Sequence, residues 1–129
     1  ASTDSASSYG VTKTTTTFRA EHKENDTVAG LAYETGWDEA QSTDPQLISW
    51  GLAQDADAIA VGELQIFVPQ STTYVKHFIA RLQSYAYESR SLDQYTAGYF
   101  NTTSALTNVK FYMTSGNIEH GTIKMWGIK

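Results

Sequence analysis

The feature that most constrains this chain is the close, regular spacing of its β-type segments. Residues 14–20, 27–33, 59–68, 95–100, 106–113 and 122–128 each concentrate β-branched and aromatic side chains, with turn residues between them. Little chain remains for crossover helices, so an antiparallel sandwich is expected rather than a parallel βαβ sheet. The alternation is cleanest in residues 59–68. There Leu64, Ile66 and Val68 point one way and Glu63, Gln65 and Phe67 the other, until Pro69 stops the run. Residues 75–87 fit two periods. Phe78, Ala80 and Leu82 alternate as a strand would, whereas Tyr74, Phe78, Leu82 and Tyr85 make a helical stripe behind Ser71, Thr72 and Thr73. The expected core is Phe18, Leu31, Leu64, Ile66, Phe78, Leu82, Val109, Phe111 and Ile123.

A length of 129 residues suits one domain with one core. Residues 1–13 are rich in Ser, Thr and Ala, with Tyr9 their one aromatic, and read as a polar arm before a single domain at 14–129. Such an arm either frays or orders against a neighbouring subunit with Tyr9 as its anchor. A long loop starts at Gly36, carries Asp38, Glu39 and Asp44, and ends in the Asp44-Pro45 turn signal. Leu47, Ile48 and Trp50 follow as an apolar patch, as in a surface loop with a buried lip.

The formal charge is −5, so the chain lacks the basic field that would draw it to nucleic acid or an anionic membrane, and neither is expected as a partner. No run of about 18 apolar residues is present, and no cysteine offers a disulfide or thiolate ligand. Charge is unevenly divided. Residues 1–65 hold 11 acidic and 3 basic side chains, and residues 66–129 hold 3 acidic and 6 basic ones. If the loop acids project, Asp38 and Glu39 of one subunit are expected to meet Lys76, Arg81 or Arg90 of a neighbour.

Patterns that carry chemistry are few. His22, His77 and His120 form no His-x-His or His-x-x-x-His pair, and Asp55 and Asp57 lack the rest of a calcium loop. No Gly-x-Ser-x-Gly, phosphate loop or dinucleotide fingerprint occurs, and no carboxylate pair stands out for glycoside hydrolysis. No catalytic, metal or cofactor site is therefore nominated, and a non-enzymatic binding role is expected. Asn25 and Asn101 head Asn-x-Thr triplets that read as turns. Trp37, Trp50 and Trp126 with Tyr85, Tyr87, Tyr95 and Tyr99 are read as core and interface packing ahead of a sugar-stacking platform.

The C-terminal half carries a resemblance. "GELQIFVP" at 62–69, "YVKHFIAR" at 74–81 and "AGYFNTTSALTNVKFYMTSGNIEHGTIKMWGIK" at 97–129 resemble a domain of tailed-phage virion structural proteins. The closing Ser-Gly-Asn, Gly-Thr-Ile-Lys and Gly-Ile pieces are its most specific part. They suit a turn needing positive φ near Gly116 or Asn117, then a strand in which Gly121 and Gly127 permit close backbone approach. The resemblance implies a jelly-roll-like β-sandwich with residues 75–87 as strand. It also implies a place on the phage particle but gives no address on it; the head is expected ahead of the tail because a tail fibre would call for a long shaft. The protein is then expected to be a capsid decoration (cement) protein bound to the major capsid protein or other virion proteins, as a homo-oligomer, by analogy a trimer. The other implied role is a tail-fibre or baseplate module that contacts the host surface and binds carbohydrate.

Overall fold

In a computed structural model, residues 1–4 and 8–128 are described. They form an all-β protein: β1 (Lys13–Lys23), β2 (Ala29–Tyr33), β3 (Ala60–Ile66), β4 (Lys76–Ala86) and β5 (Arg90–Phe100). All pairings are antiparallel, in one five-stranded sheet ordered β2-β1-β5-β4-β3. Tight hairpins join β1 to β2 and β4 to β5, and β5 returns to the centre to pair with β1. Threonines 14 to 17 in β1 and the aromatic and β-branched run of β5 supply the side chains that a pleated, half-buried surface favours. The second sheet of a sandwich is not among the described residues.

The register sorts side chains onto two unlike faces. Thr17, Thr96, Ala80 and Leu64 stand in one row across four strands; Thr15, Gly98, Phe78 and Ile66 form the next. This face is covered. Phe78, Phe100 and Leu106 make its apolar centre, flanked by Ala1, Val11, Leu64 and Ile66. Its remainder is unusually polar for an interior, and hydrogen bonds satisfy part of it, while the buried Ser84 hydroxyl and Gln94 Oε1 have no partner among the described residues. Thr17 and Thr96 hydroxyls meet at 3.2 Å, and the buried Gln94 amide donates to Leu47 O at 2.9 Å.

The cover is the long connection from β2 to β3, which crosses the sheet as a strap. Ser42 exchanges backbone bonds of 2.9 and 3.0 Å with Lys13, Thr15 N–H donates to Glu39 O at 2.8 Å, and the Thr15 hydroxyl donates to Gln46 Oε1 at 2.7 Å. At the far edge, Tyr87 N–H donates to Gly51 O at 2.8 Å and Ala53 N–H to Tyr85 O at 3.1 Å. The strap thus satisfies its own backbone on the strands it covers, as a buried irregular segment must.

Several expectations change. The helical alternative at 75–87 falls and the strand that the resemblance implies holds for β4, Lys76–Ala86, which pairs along both sides with β3 and β5. The strand expected to start at 95 starts at Arg90. Residues 106–113 and 122–128 form no strand, and every residue from Val109 to Ile128 is exposed. Their alternation is of strand type, but a strand is stable only when its backbone is paired, and a lone two-stranded piece is marginal in water. Of the expected core, Phe78 is buried and Leu64, Ile66 and Leu82 are half-buried, while Phe18, Leu31, Val109, Phe111 and Ile123 are exposed. Phe18 and Leu31 stand on the uncovered face, and their strands offer the core Thr15, Thr17 and Ala32 instead. Gly116 has the expected positive φ, 73°. Asn117 is not among the positive-φ residues. Close backbone approach occurs elsewhere than at Gly121 and Gly127. A Cβ at Gly62 would stand 2.2 Å from Arg81 O and one at Gly98 2.4 Å from Thr14 O, whereas Gly127 is open and Gly121 meets only Ile118 at 3.8 Å.

Candidate functional site

The second face of the sheet has no strap, and the register lays out what it presents. Tyr33, Phe18, Tyr95, Arg81 and Glu63 stand side by side on β2, β1, β5, β4 and β3, one row that crosses the whole sheet. Phe18 and Tyr95 stack with ring centroids 4.7 Å apart and planes 5° from parallel. The Arg81 guanidinium lies 4.9 Å above Tyr95 and grips Asp93 through both Nε (3.1 Å) and Nη2 (2.7 Å). Tyr95 OH donates to the same carboxylate at 3.1 Å. Leu31, Ile79 and Val61 stand exposed around this row. A shallow, open depression beside β3 is lined by Val61, Gly62, Glu63, Arg81, Gln83 and Asp93.

The fork between Arg81 and Asp93 fixes both groups. Hydrogen bonding from Arg81 holds the Asp93 carboxyl below its ordinary pKa despite partial desolvation, with help from Tyr95. Hydrogen bonding to Asp93 likewise raises the Arg81 guanidinium. The result is a flat patch of rings and one locked ion pair, pre-organised because each side chain already has its neighbour.

A second charged cluster sits at the other end of the covered face and is structural. Glu21 bridges Arg19 and Arg90, the latter at 2.6 Å, and Glu88 joins Arg90 to Lys23. Desolvation pushes the Glu21 carboxyl up, but the hydrogen bonds and charges of the two arginines outweigh it and hold it down. Trp37 and Trp50 stack at 5.2 Å, Trp50 meets Tyr87 edge-on, and Arg19 lies 5.5 Å over Trp37. These rings already hold a guanidinium and one another. Tyr95 and Tyr99 lie on the opposite face, and Trp126 is in the exposed tail, so the aromatic set does not form one platform.

The expected interface residues scatter. Arg81 is on the open face. Lys76 is 0% exposed, its ammonium donating to Ser71 O (2.6 Å), Tyr74 O (2.9 Å) and Thr102 O (3.2 Å), so it has nothing to offer a partner. Arg90 is buried in the Glu21 cluster. Asp38 accepts from Tyr33 OH at 2.7 Å, and Glu39 is held by its backbone to Thr15, so these acids fold back instead of projecting. Tyr9 is half-buried under the Lys110 ammonium, 5.7 Å from its ring centre. Near it, Ser2 is buried and its backbone pairs with Asn108, so the start of the arm rests on its own chain; residues 5–7 lie outside the described set. Sequence reasoning missed Phe18, Tyr95 and Asp93 as a group. The available signal was the two-residue spacing from Asp93 to Tyr95, which puts both on one face of a strand.

Asn25 forms the expected turn, accepting from Thr27 N–H at 3.1 Å. Among the described residues no three His, Asp or Glu side chains cluster to hold a metal, and no helix is long and apolar enough to cross a membrane. Compared with known proteins, the chain matches no family model, no curated protein and no solved structure.

Proposed function

We propose that this protein is a non-enzymatic structural subunit of a tailed-phage particle, a capsid decoration protein that binds coat subunits through the open face of its sheet. One observation carries the reading: in the row Tyr33, Phe18, Tyr95, Arg81 and Glu63, the three rings and the guanidinium are each already held by a stacking or hydrogen-bonding neighbour. Tyr and Arg are the residues most often found at the energetic centre of protein interfaces, and side chains already locked lose little freedom on docking. The resemblance of residues 62–129 to virion domains supplies the particle. In this reading the second layer of the jelly-roll-like sandwich is the strap, with further strands contributed on assembly. Many equivalent copies on a head act by linkage, each adding stability to the coat it bridges.

A tail module that touches the host surface is the second reading, favoured by Phe18 and Tyr33, whose exposed rings offer stacking faces to sugars. Gold-antibody labelling of intact particles separates the two. Regular labelling of the head is expected; labelling confined to the tail replaces decoration with host contact, and particles with no label refute both. On heads, Tyr95→Ala together with Arg81→Ala is expected to lower occupancy at least tenfold.

A further inference from the structure

Besides the outer edge of β2 on the far side of the sheet, two β-type surfaces have no partner among the described residues. One is the outer edge of β3. Phe67 N–H donates to His77 O at 2.9 Å and Tyr85 N–H to Ile59 O at 3.1 Å, so the odd-numbered residues here bond towards β4. In an antiparallel ladder the even-numbered ones then turn their N–H and C=O outward. Ala60, Gly62, Leu64 and Ile66 therefore present a strand edge that has no partner among the described residues. Neither Lys nor Pro guards it, and Glu63 is its one charge.

The other surface is the tail, residues 109–128. Residues 122–128 alternate Ile123 and Met125 against Lys124, Trp126 and Ile128. Met125 is 94% exposed, Trp126 76% and Ile128 95%. Exposing that much apolar surface in one short segment marks an interaction site. Among the described residues no backbone hydrogen bond reaches beyond Asn108, and neither Lys124 nor Glu63 has an ion-pair partner.

We propose that residues 122–128 of one copy add as an antiparallel strand to the β3 edge of a second copy, with Lys124 opposite Glu63. That register has three consequences, all favourable. Glu63 is then a non-hydrogen-bonded pair of the new ladder, where cross-strand side chains approach most closely. Trp126 falls beside Val61 on the open face, at the depression next to Arg81. Met125 falls on the covered face opposite Gly62, which has no side chain to obstruct it, and Ile123 beside Leu64. Charge agrees over longer range, because the edge belongs to the acidic half of the chain and the tail to the basic half. The occupant is a second copy because the tail leaves the fold beside this edge, with Leu106 N–H bonded to Pro69 O at 2.8 Å, and within one copy the edge still stays open. The inference stands whichever particle the protein serves.

The test uses the full chain. Light scattering after size exclusion is expected to show a multiple of the monomer mass that dissociates on dilution. Ile123→Asp with Met125→Asp is expected to weaken association at least about 100-fold while leaving circular dichroism unchanged, since both side chains are exposed in the monomer. Because the chain has no cysteine, Glu63→Cys in one tagged copy and Lys124→Cys in another are expected to form a disulfide joining the two. A monomer at all concentrations, an oligomer indifferent to the tail substitutions, or a single chain carrying both Glu63→Cys and Lys124→Cys that links only to itself would each overturn the proposal.

Discussion

Lys76 shows how far a residue's neighbours decide its role. An ammonium in a strand reads as solvent-facing, yet here it ties Ser71, Tyr74 and Thr102 carbonyls together at the end of the core. Lys76→Met is expected to cost about 3 kcal/mol in urea unfolding, because buried carbonyls lose their donor. Phe78→Ala should cost about 3–5 kcal/mol, and Phe111→Ala within about 0.5 kcal/mol for the monomer, since only the first ring is in the core. Acid titration has a definite sign. Asp93 and Glu21 are held below their ordinary pKa when folded, so their stabilisation is complete above the unfolded carboxylate range, about 4, and is lost as pH falls through the folded values. Asp93→Asn should flatten part of that acid limb in thermal melts taken between neutral and acid pH. Phe78 was legible from its place in an apolar alternation. Lys76 was not, because the three carbonyls that bury it come from a turn and from a segment beyond β5.

At the scale of elements, β3 and β4 were readable because alternation and Pro69 bound them, and their pairing resolves the helical alternative at 75–87. The faces of β1 and β2 were not. Threonine packs in an interior as well as on a surface, so a run of threonines carries no phase, and Phe18 drew the assignment the wrong way. The strap was seen as a loop with a buried lip, and Leu47 and Trp50 are indeed half-buried. That it supplies a whole layer depends on bonds to Lys13, Thr15 and Tyr85 that no local pattern encodes. Gly62 and Gly98 are where the sheet tolerates no side chain. Gly62→Ala or Gly98→Ala should destabilise by about 1–3 kcal/mol, as overpacking does, and Gly127→Ala should be close to neutral by the same denaturation measurement.

For the molecule as a whole, a one-sheet protein with one face strapped and the other bare leaves the β2 and β3 edges, a ring-and-arginine surface and an apolar tail turned outward. In the reading proposed above, the β3 edge, the ring-and-arginine surface and the tail serve assembly. The tail is also where reading by pattern failed most instructively. Residues 106–113 and 122–128 have the composition of strands, and composition says only what a segment can become once it finds an edge.

The most direct measurement is amide hydrogen exchange of the full chain, resolved by segment, across a range of protein concentrations. The strap-covered strands should be protected throughout, while residues 122–128 and the outward amides of Ala60, Gly62, Leu64 and Ile66 exchange fast when dilute and become protected together as concentration rises. Tail amides protected equally at every concentration would mean that each chain completes its own sheet, and would contradict this account.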